Sequence, residues 1–259
     1  MKILCIGDVV GDAGLDFVCR RLPALRRELG VALCIVNGEN ADTSGTGLTK
    51  SAAEELLSHG ADVITTGNHA LRRAGMDLYT ENNTLLMPAN YPGIAPNAGM
   101  CTLDFGKYSV LVANLAGVAF LEPLDNPFDV ADRILASDEG KRARFKIIDF
   151  HAESTAEKKA LAYYLDKRVS AVFGTHTHVQ TADEQILPAG SGYITDLGMC
   201  GPSQSVIGVE PRLAIEKQKT HRPVRFALAG GKCTLCGAVF TLNDTTGLCE
   251  KAERVSVQE

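Results

Sequence analysis

Short continuous apolar runs alternate with amphipathic stretches along the first third of the chain. Lys2–Ile6 is such a run, as expected of a strand covered on both faces. In the segment 16–29, Val18, Leu22, Leu25 and Leu29 recur at helical spacing, and Pro23 is expected to bend that helix. Residues 32–36 read as the next buried strand. Ser51-Ala52-Ala53-Glu54 resembles a capping box and opens a helix expected to end at Gly60. Residues 62–66 read as a third strand. A β-α-β-α-β opening of this kind predicts parallel neighbours joined by crossover helices.

The pattern then changes. Residues 84–114 are rich in Pro, Gly and Asn, and end in two apolar runs around Gly106-Lys107, which predicts a loop and an antiparallel hairpin. Helices are expected over 129–142 and 154–167. Strands are expected over 145–150, 171–174, 185–187 and 192–195. Residues 222–229 and 238–243 read as a terminal sheet segment closed by Asp244-Thr245-Thr246-Gly247. No internal repeat or evident linker interrupts the 259 residues, so one domain with two sheets is expected over 1–259.

Composition narrows the classes. Apolar residues make up 45% and charged residues 22%, as in ordinary globular proteins. A net charge of −5 argues against bulk nucleic-acid or anionic-membrane binding. No stretch approaches the roughly 20 apolar residues of a membrane span. The eight cysteines are scattered, and free thiols in a reducing cytoplasm account for them most simply. Cys233-x-x-Cys236 lies in hairpin-like flanks, which favours an incidental pair over a second metal or redox site.

The chemistry sits at the strand ends. Asp8, Glu39, Asn68, His151 and His176 each follow a predicted strand directly, where open α/β sheets place their sites. Each is weak alone: Asp8 could cap a helix, Asn37-Gly38 could be a plain turn, and His69 could be a polar residue with structural partners. His176-x-His178 is stronger, because residues two apart on an extended segment point the same way. Carboxylate, amide and imidazole together suit Fe, Mn or Zn, and the absence of cysteine weighs against a thiolate zinc site. Glu39 is the natural bridge between two cations, which would lower the pKa of a shared water and polarise a phosphoryl group.

These phrases resemble the calcineurin-type metallophosphoesterases, and specifically the bacterial YmdB-like cyclic-nucleotide phosphodiesterases. The matching runs are Ile6-Gly7-Asp8-Val9-Val10-Gly11, Asn37-Gly38-Glu39-Asn40-Ala41, Thr66-Gly67-Asn68-His69 and Pro88-Ala89-Asn90-Tyr91-Pro92. They continue with His151 to Lys158, Gly174 to Asp183, and Tyr193 to Met199. The wider superfamily has Asp-x-His at the first strand and Gly-Asp at the second. Here Asp8-Val9-Val10 and Gly38-Glu39 stand instead, as in the YmdB-like branch.

The resemblance implies a four-layer α/β/β/α sandwich and a two-metal site. Asp8, Glu39, Asn40 and His178 would hold one metal, and Glu39, Asn68, His151 and His176 the other. The ions would be divalent or mixed-valence, Fe or Mn first and Zn as the alternative. His69 would protonate the leaving oxygen, a role that suits an imidazole titrating near neutral pH. The implied reaction opens 2′,3′-cyclic nucleotides to 3′-nucleotides, with 3′,5′-cyclic nucleotides as further substrates, in a cytoplasmic enzyme that could self-assemble. The alternatives are a metal-dependent phosphomonoesterase or phosphoprotein phosphatase, and a non-catalytic nucleotide sensor. Two departures stand out. Ala70-Leu71 replaces the family's tryptophan-containing pattern, and Met87 replaces an arginine that could have touched an anionic substrate or a partner subunit.

Overall fold

A computed structural model describes residues 1–259. The strand Lys2–Ile6 pairs parallel with Leu33–Asn37 on one side and antiparallel with Cys233–Leu242 on the other. Val63–Thr65 and Leu85–Leu86 extend the sheet in parallel beyond Leu33–Asn37. Met199–Pro202, Asp8–Val9 and Cys249–Gln258 complete eight strands. A second sheet of six strands runs in the order Gln185–Ile186, Gly192–Ile194, Ala171–Thr175, Phe145–His151, Ser109–Ala116, Met100–Asp104.

Alternation along the strands builds the layers. Ile3, Cys5, Leu33 and Ile35 point inward and join Val110, Val112, Phe145, Ile147 and Phe173 of the second sheet in one core. Leu4, Ile6, Cys34 and Val36 point the other way, into a core shared with Val18, Leu22 and Leu25 of the helix Gly11–Leu29. Leu111, Ala113, Ile148 and Phe150 pack outward against Val130 and Ile134 of the helix Pro127–Ala136 and Leu161 and Leu165 of the helix Thr155–Leu165. Three apolar seams separate four layers, so the chain is an α/β/β/α sandwich.

Several elements differ from the sequence expectation. The first helix starts at Gly11 rather than Asp16 and runs unbroken through Pro23. The second helix, Lys50–Ser58, is capped by Thr49, whose hydroxyl accepts from Ala52 N, so Ser51 lies inside it. The expected helix over 129–142 is two helices, Pro127–Ala136 and Asp138–Arg142. Ser137 divides them and caps the second through Gly140 N. Residues 222–229 form no strand: Pro223 has no N–H to donate, and the segment's one bridge is Val209↔Leu228. The helix Pro211–Thr220 has no counterpart in the expectation. Nor has Cys249–Gln258, an edge strand whose charges Glu250, Lys251, Glu253 and Arg254 hide its pairing from a hydrophobicity pattern. None of the cysteines is bonded; Cys233 and Cys236 lie on one strand. No helix is long and apolar enough to cross a membrane.

Candidate metal centre

The parallel strands of both sheets end at one edge, and the chemistry collects there. Leu33–Asn37 leads into Glu39 and Asn40, and Val63–Thr65 leads into Asn68 and His69. Phe145–His151 ends on His151, and Ala171–Thr175 delivers His176 and His178. Asp8 begins the short strand Asp8–Val9. Asp8, Glu39, Asn40 and His151 are buried. A cleft of about 320 Å³ opens over Glu39, Asn40, His69, His176 and His178.

Donor atoms of Glu39, His151 and His176 lie within 4.8 Å of one another. His151 Nε2 is 3.1 Å from Glu39 Oε1, 3.0 Å from Asn68 Oδ1 and 3.0 Å from His176 Nδ1. Beside them, His178 Nε2 is 3.8 Å from Asp8 Oδ1 and 3.1 Å from Asn40 Nδ2. Asp8, Glu39, Asn40, Asn68, His151, His176 and His178 therefore lie in one place, in two adjoining groups. Asn40 is turned with Oδ1 on His69 Nδ1, at 2.9 Å. Offering that oxygen to a cation beside His178 requires its amide to turn over.

The histidine pair arrives by a route that differs from the extended segment expected. His176 has φ 102° and His178 φ 65°, so both lie on a turn in the left-handed region rather than on a strand. Their convergence comes from that backbone. The turn is held by the buried pair Lys158–Asp196, with Lys158 Nζ 2.7 Å from Asp196 Oδ2. The same carboxylate accepts from Thr177 N at 3.0 Å, and its other oxygen accepts from Gly198 N at 2.8 Å.

Each of the three imidazoles also has its other nitrogen engaged. His151 Nδ1 donates to Thr175 Oγ1 at 2.9 Å, because the Thr175 hydroxyl is itself committed to Asp149 Oδ1 at 2.8 Å. His178 Nδ1 donates to Ile207 O at 3.0 Å, and His176 Nε2 lies 3.0 Å from Glu153 Oε2. The nitrogens left over, His151 Nε2, His176 Nδ1 and His178 Nε2, face the centre. Anchoring the outer nitrogen is how proteins present an imidazole lone pair to a metal.

Three further observations fit a cation. Asp8 Oδ1 is buried without a hydrogen-bond partner. A Cβ at Gly67 would collide with Glu39 Oε2 and His151 Nε2, so only glycine lets the backbone pass this close. The electrostatics also call for positive charge. Burial pulls His151 down, but the Glu39 carboxylate and then Asp8 lift it to about 9. Burial pushes Glu39 up, yet His151 and His69 hold it well below the usual carboxylate range. Burial, and then the charge on His151, press His176 down to about 3. The donor set matches Fe, Mn or Zn chemistry.

His69 differs from the other three. Its Nδ1 faces inward, 3.1 Å from Glu39 Oε1 and 2.9 Å from Asn40 Oδ1, and its Nε2 has no partner within the chain. Arg73 is occupied by Asp42 and Ser44, and Arg72 is exposed. His59 caps a helix end, with Nδ1 2.8 Å from Glu55 O. Met87 is fully buried in the helix-side core, so the position where the family pattern has arginine does not face the cleft here.

Sequence reasoning missed the layer behind the donors. Asp149 accepts from Thr65 Oγ1 at 2.5 Å, Asn37 Nδ2 at 3.0 Å and Thr175 Oγ1, joining the two sheets under the site. A lone aspartate inside the apolar run Phe145–Phe150 was the available signal. Burial, opposed by those hydrogen bonds, raises its carboxyl to about 6.

Mixed oxygen and nitrogen donors along one edge of this sandwich form a candidate metal centre. The model of the YmdB-like protein family matches residues 4–255, and the chain belongs to that family. A Bacillus subtilis protein, 2′,3′-cyclic-nucleotide 2′-phosphodiesterase, is 45% identical over 100% of this chain and 98% of its own length. The crystal structure of a phosphatase from Mycoplasma pneumoniae is 34% identical, with a TM-score of 0.91 over 100% of this chain and 94% of that one. The crystal structure of a hypothetical protein from Thermus thermophilus is 38% identical and also has a TM-score of 0.91, over the whole of both chains.

Proposed function

We propose that the chain hydrolyses phosphodiesters with two metal ions, and that its substrates are 2′,3′-cyclic nucleotides, opened to 3′-nucleotides, with 3′,5′-cyclic nucleotides as further substrates. Asp8, Glu39, Asn40 and His178 would hold one ion and Glu39, Asn68, His151 and His176 the other. The observation that carries this is the set of three imidazoles whose outer nitrogens are all engaged while the inner ones face two buried carboxylates. Bound there, two cations of Fe, Mn or Zn supply an acidified water and charge for the phosphoryl oxygens. The identity with the Bacillus subtilis phosphodiesterase favours the cyclic diester as substrate.

The chain's own residues then have distinct tasks. His69 holds its Nδ1 on the Glu39 carboxylate, which leaves Nε2 to face the departing ribose oxygen. Water adds to phosphorus, the P–O2′ bond breaks, and His69 gives its proton to the 2′-oxygen. The Asn40 side-chain amide would donate a hydrogen bond to a phosphoryl oxygen, which stabilises the transition state. The cleft admits a small ester and offers no extended basic surface for nucleic acid. The same proposal takes residues 1–259 as one domain that works in the cytoplasm and is open to self-assembly.

Turnover of 2′,3′-cyclic AMP, 3′,5′-cyclic AMP, a nucleoside monophosphate and a phosphopeptide, compared side by side after chelation and re-addition of each ion, tests it. Metal-dependent preference for the cyclic diester is expected. Preference for the monoester would favour the phosphatase reading that the Mycoplasma pneumoniae relative suggests, and ion-dependent nucleotide binding without turnover would favour a sensor.

A further inference from the structure

Six non-glycine residues have φ in the left-handed region: Phe120, Lys167, His176, His178, Ile207 and His221. Five of them have an explanation. Lys167 and His221 follow helix ends. His176 and His178 face the centre, and Ile207 presents its carbonyl to His178. Phe120 alone is unexplained, and it is also the most exposed large apolar side chain, at 89%. A strained residue held in place by its surroundings points to a function.

The loop that carries Phe120 is fixed to the site. It leaves the strand Ser109–Ala116 in register with His151, and Gly117 N donates to His151 O at 2.9 Å. A Cβ at Gly117 would collide with Glu157 Oε2 and lie 2.6 Å from the Ala152 Cβ. Glu157 then takes Val118 N at 2.9 Å and Ala119 N at 3.3 Å, fixing the two residues before Phe120. Beyond it, the buried Asn90 grips Asp125: Asn90 Nδ2 donates to Asp125 O, and Asp125 N donates to Asn90 O, both at 3.0 Å. Phe120 Cα lies within about 11 Å of Gly117 Cα, since three residues reach no further. The loop begins against His151-Ala152, and the next residue, Glu153, lines the cleft.

A water-exposed aromatic ring on a loop tied to His151 and Glu157 matches one part of the proposed substrate. We propose that Phe120 is the face on which the nucleobase stacks, an inference that rests on the cyclic-nucleotide reading above. Stacking tolerates any base, because every base has a π face. Phe120 thereby sets a preference for nucleotides over base-free cyclic esters and leaves the four bases little distinguished. The tether through Glu157 fixes the backbone that carries the ring before substrate arrives, which lowers the ordering cost left for binding.

The test compares wild type with Phe120→Ala and Phe120→Trp on 2′,3′-cyclic AMP and on glycerol 1,2-cyclic phosphate, which has the five-membered cyclic diester and no base. For Phe120→Ala, the ratio of kcat/KM for the nucleotide to that for the base-free ester should fall about 5- to 100-fold, chiefly through KM, the range that loss of one base–aromatic stack gives. Phe120→Trp should retain the wild-type ratio. An unchanged ratio in Phe120→Ala overturns the assignment. So does a fall in sedimentation mass with the ratio preserved, which would place Phe120 in a contact between subunits. If wild type cleaves neither ester, the diesterase reading fails and takes this one with it. If wild type cleaves both and the ratio does not move, only the stacking role fails.

Discussion

The two sheets supply their sides of the centre by different means. The first contributes oxygen donors, Glu39, Asn40 and Asn68 just past strand ends and Asp8 at the start of the strand Asp8–Val9, and the glycine at 67 lets the backbone crowd against Glu39 and His151. The second contributes imidazoles, and each needs a brace: Thr175 for His151, Glu153 for His176, Ile207 O for His178. A carboxylate has several lone-pair directions to offer, so modest misplacement leaves it useful. An imidazole offers one, and which nitrogen carries the proton depends on a partner elsewhere. The nitrogen side therefore carries the larger supporting structure, including two left-handed residues and a buried ion pair.

Substitutions on the two sides should reflect this contrast. The largest effect is expected at His69, on the oxygen side but not among its proposed metal donors. His69→Ala should lose about 10²–10⁴-fold in kcat while binding metal as wild type does; joint loss of metal would make it a ligand instead. On the nitrogen side, Lys158→Met leaves Asp196 buried without its cation. Denaturant unfolding should show a loss of about 3–5 kcal/mol, and a loss under about 1 kcal/mol would mean that the hydrogen bonds from Thr177 and Gly198 suffice to hold that carboxylate.

Smaller effects follow further out. Thr175→Val removes the acceptor for His151 Nδ1 without changing the strand, and metal affinity should fall about 10- to 100-fold. An unchanged affinity would show that the ring is oriented by packing alone. The smallest effect concerns Asp183, behind the His176–His178 turn. Burial pushes its carboxyl up, but hydrogen bonds from Thr195 and Thr181 outweigh that and hold it below its ordinary value. A carboxyl held low in the folded state stabilises the fold above the unfolded pKa, and that stability is lost as pH falls through the folded value. Asp183→Asn should therefore flatten the loss of thermal stability below about pH 4. An acid limb identical to wild type would remove Asp183 from the pH response.

The same contrast explains what could be read from the chain. On the oxygen side the positions at the strand ends were legible, because Gly-Asp, Asn-Gly-Glu-Asn and Gly-Asn-His follow recognisable strands. The nitrogen side was legible in its residues and not in its geometry: His176-x-His178 suggested an extended segment, whereas the two rings converge through a turn that only tertiary contacts sustain. Its braces were hidden as well. Thr175, Glu153, Lys158 and Ile207 are unremarkable residue types, and their roles appear only after folding has brought distant segments together. The turn itself shows how distant: Asp8 Oδ2 accepts from His176 N across 168 positions of chain. In the fold, buried parallel strands announced themselves by continuous apolar runs. The charged edge strand Cys249–Gln258 did not, because its charged side chains face water.

The most direct measurement is anomalous diffraction from crystals grown with Mn²⁺. Two peaks about 3.5–4 Å apart are expected, one touched by Asp8 and His178, the other by Asn68, His151 and His176, with Glu39 between them. A single peak, or manganese bound away from this edge with the imidazoles turned aside, would contradict a centre assembled from both sheets.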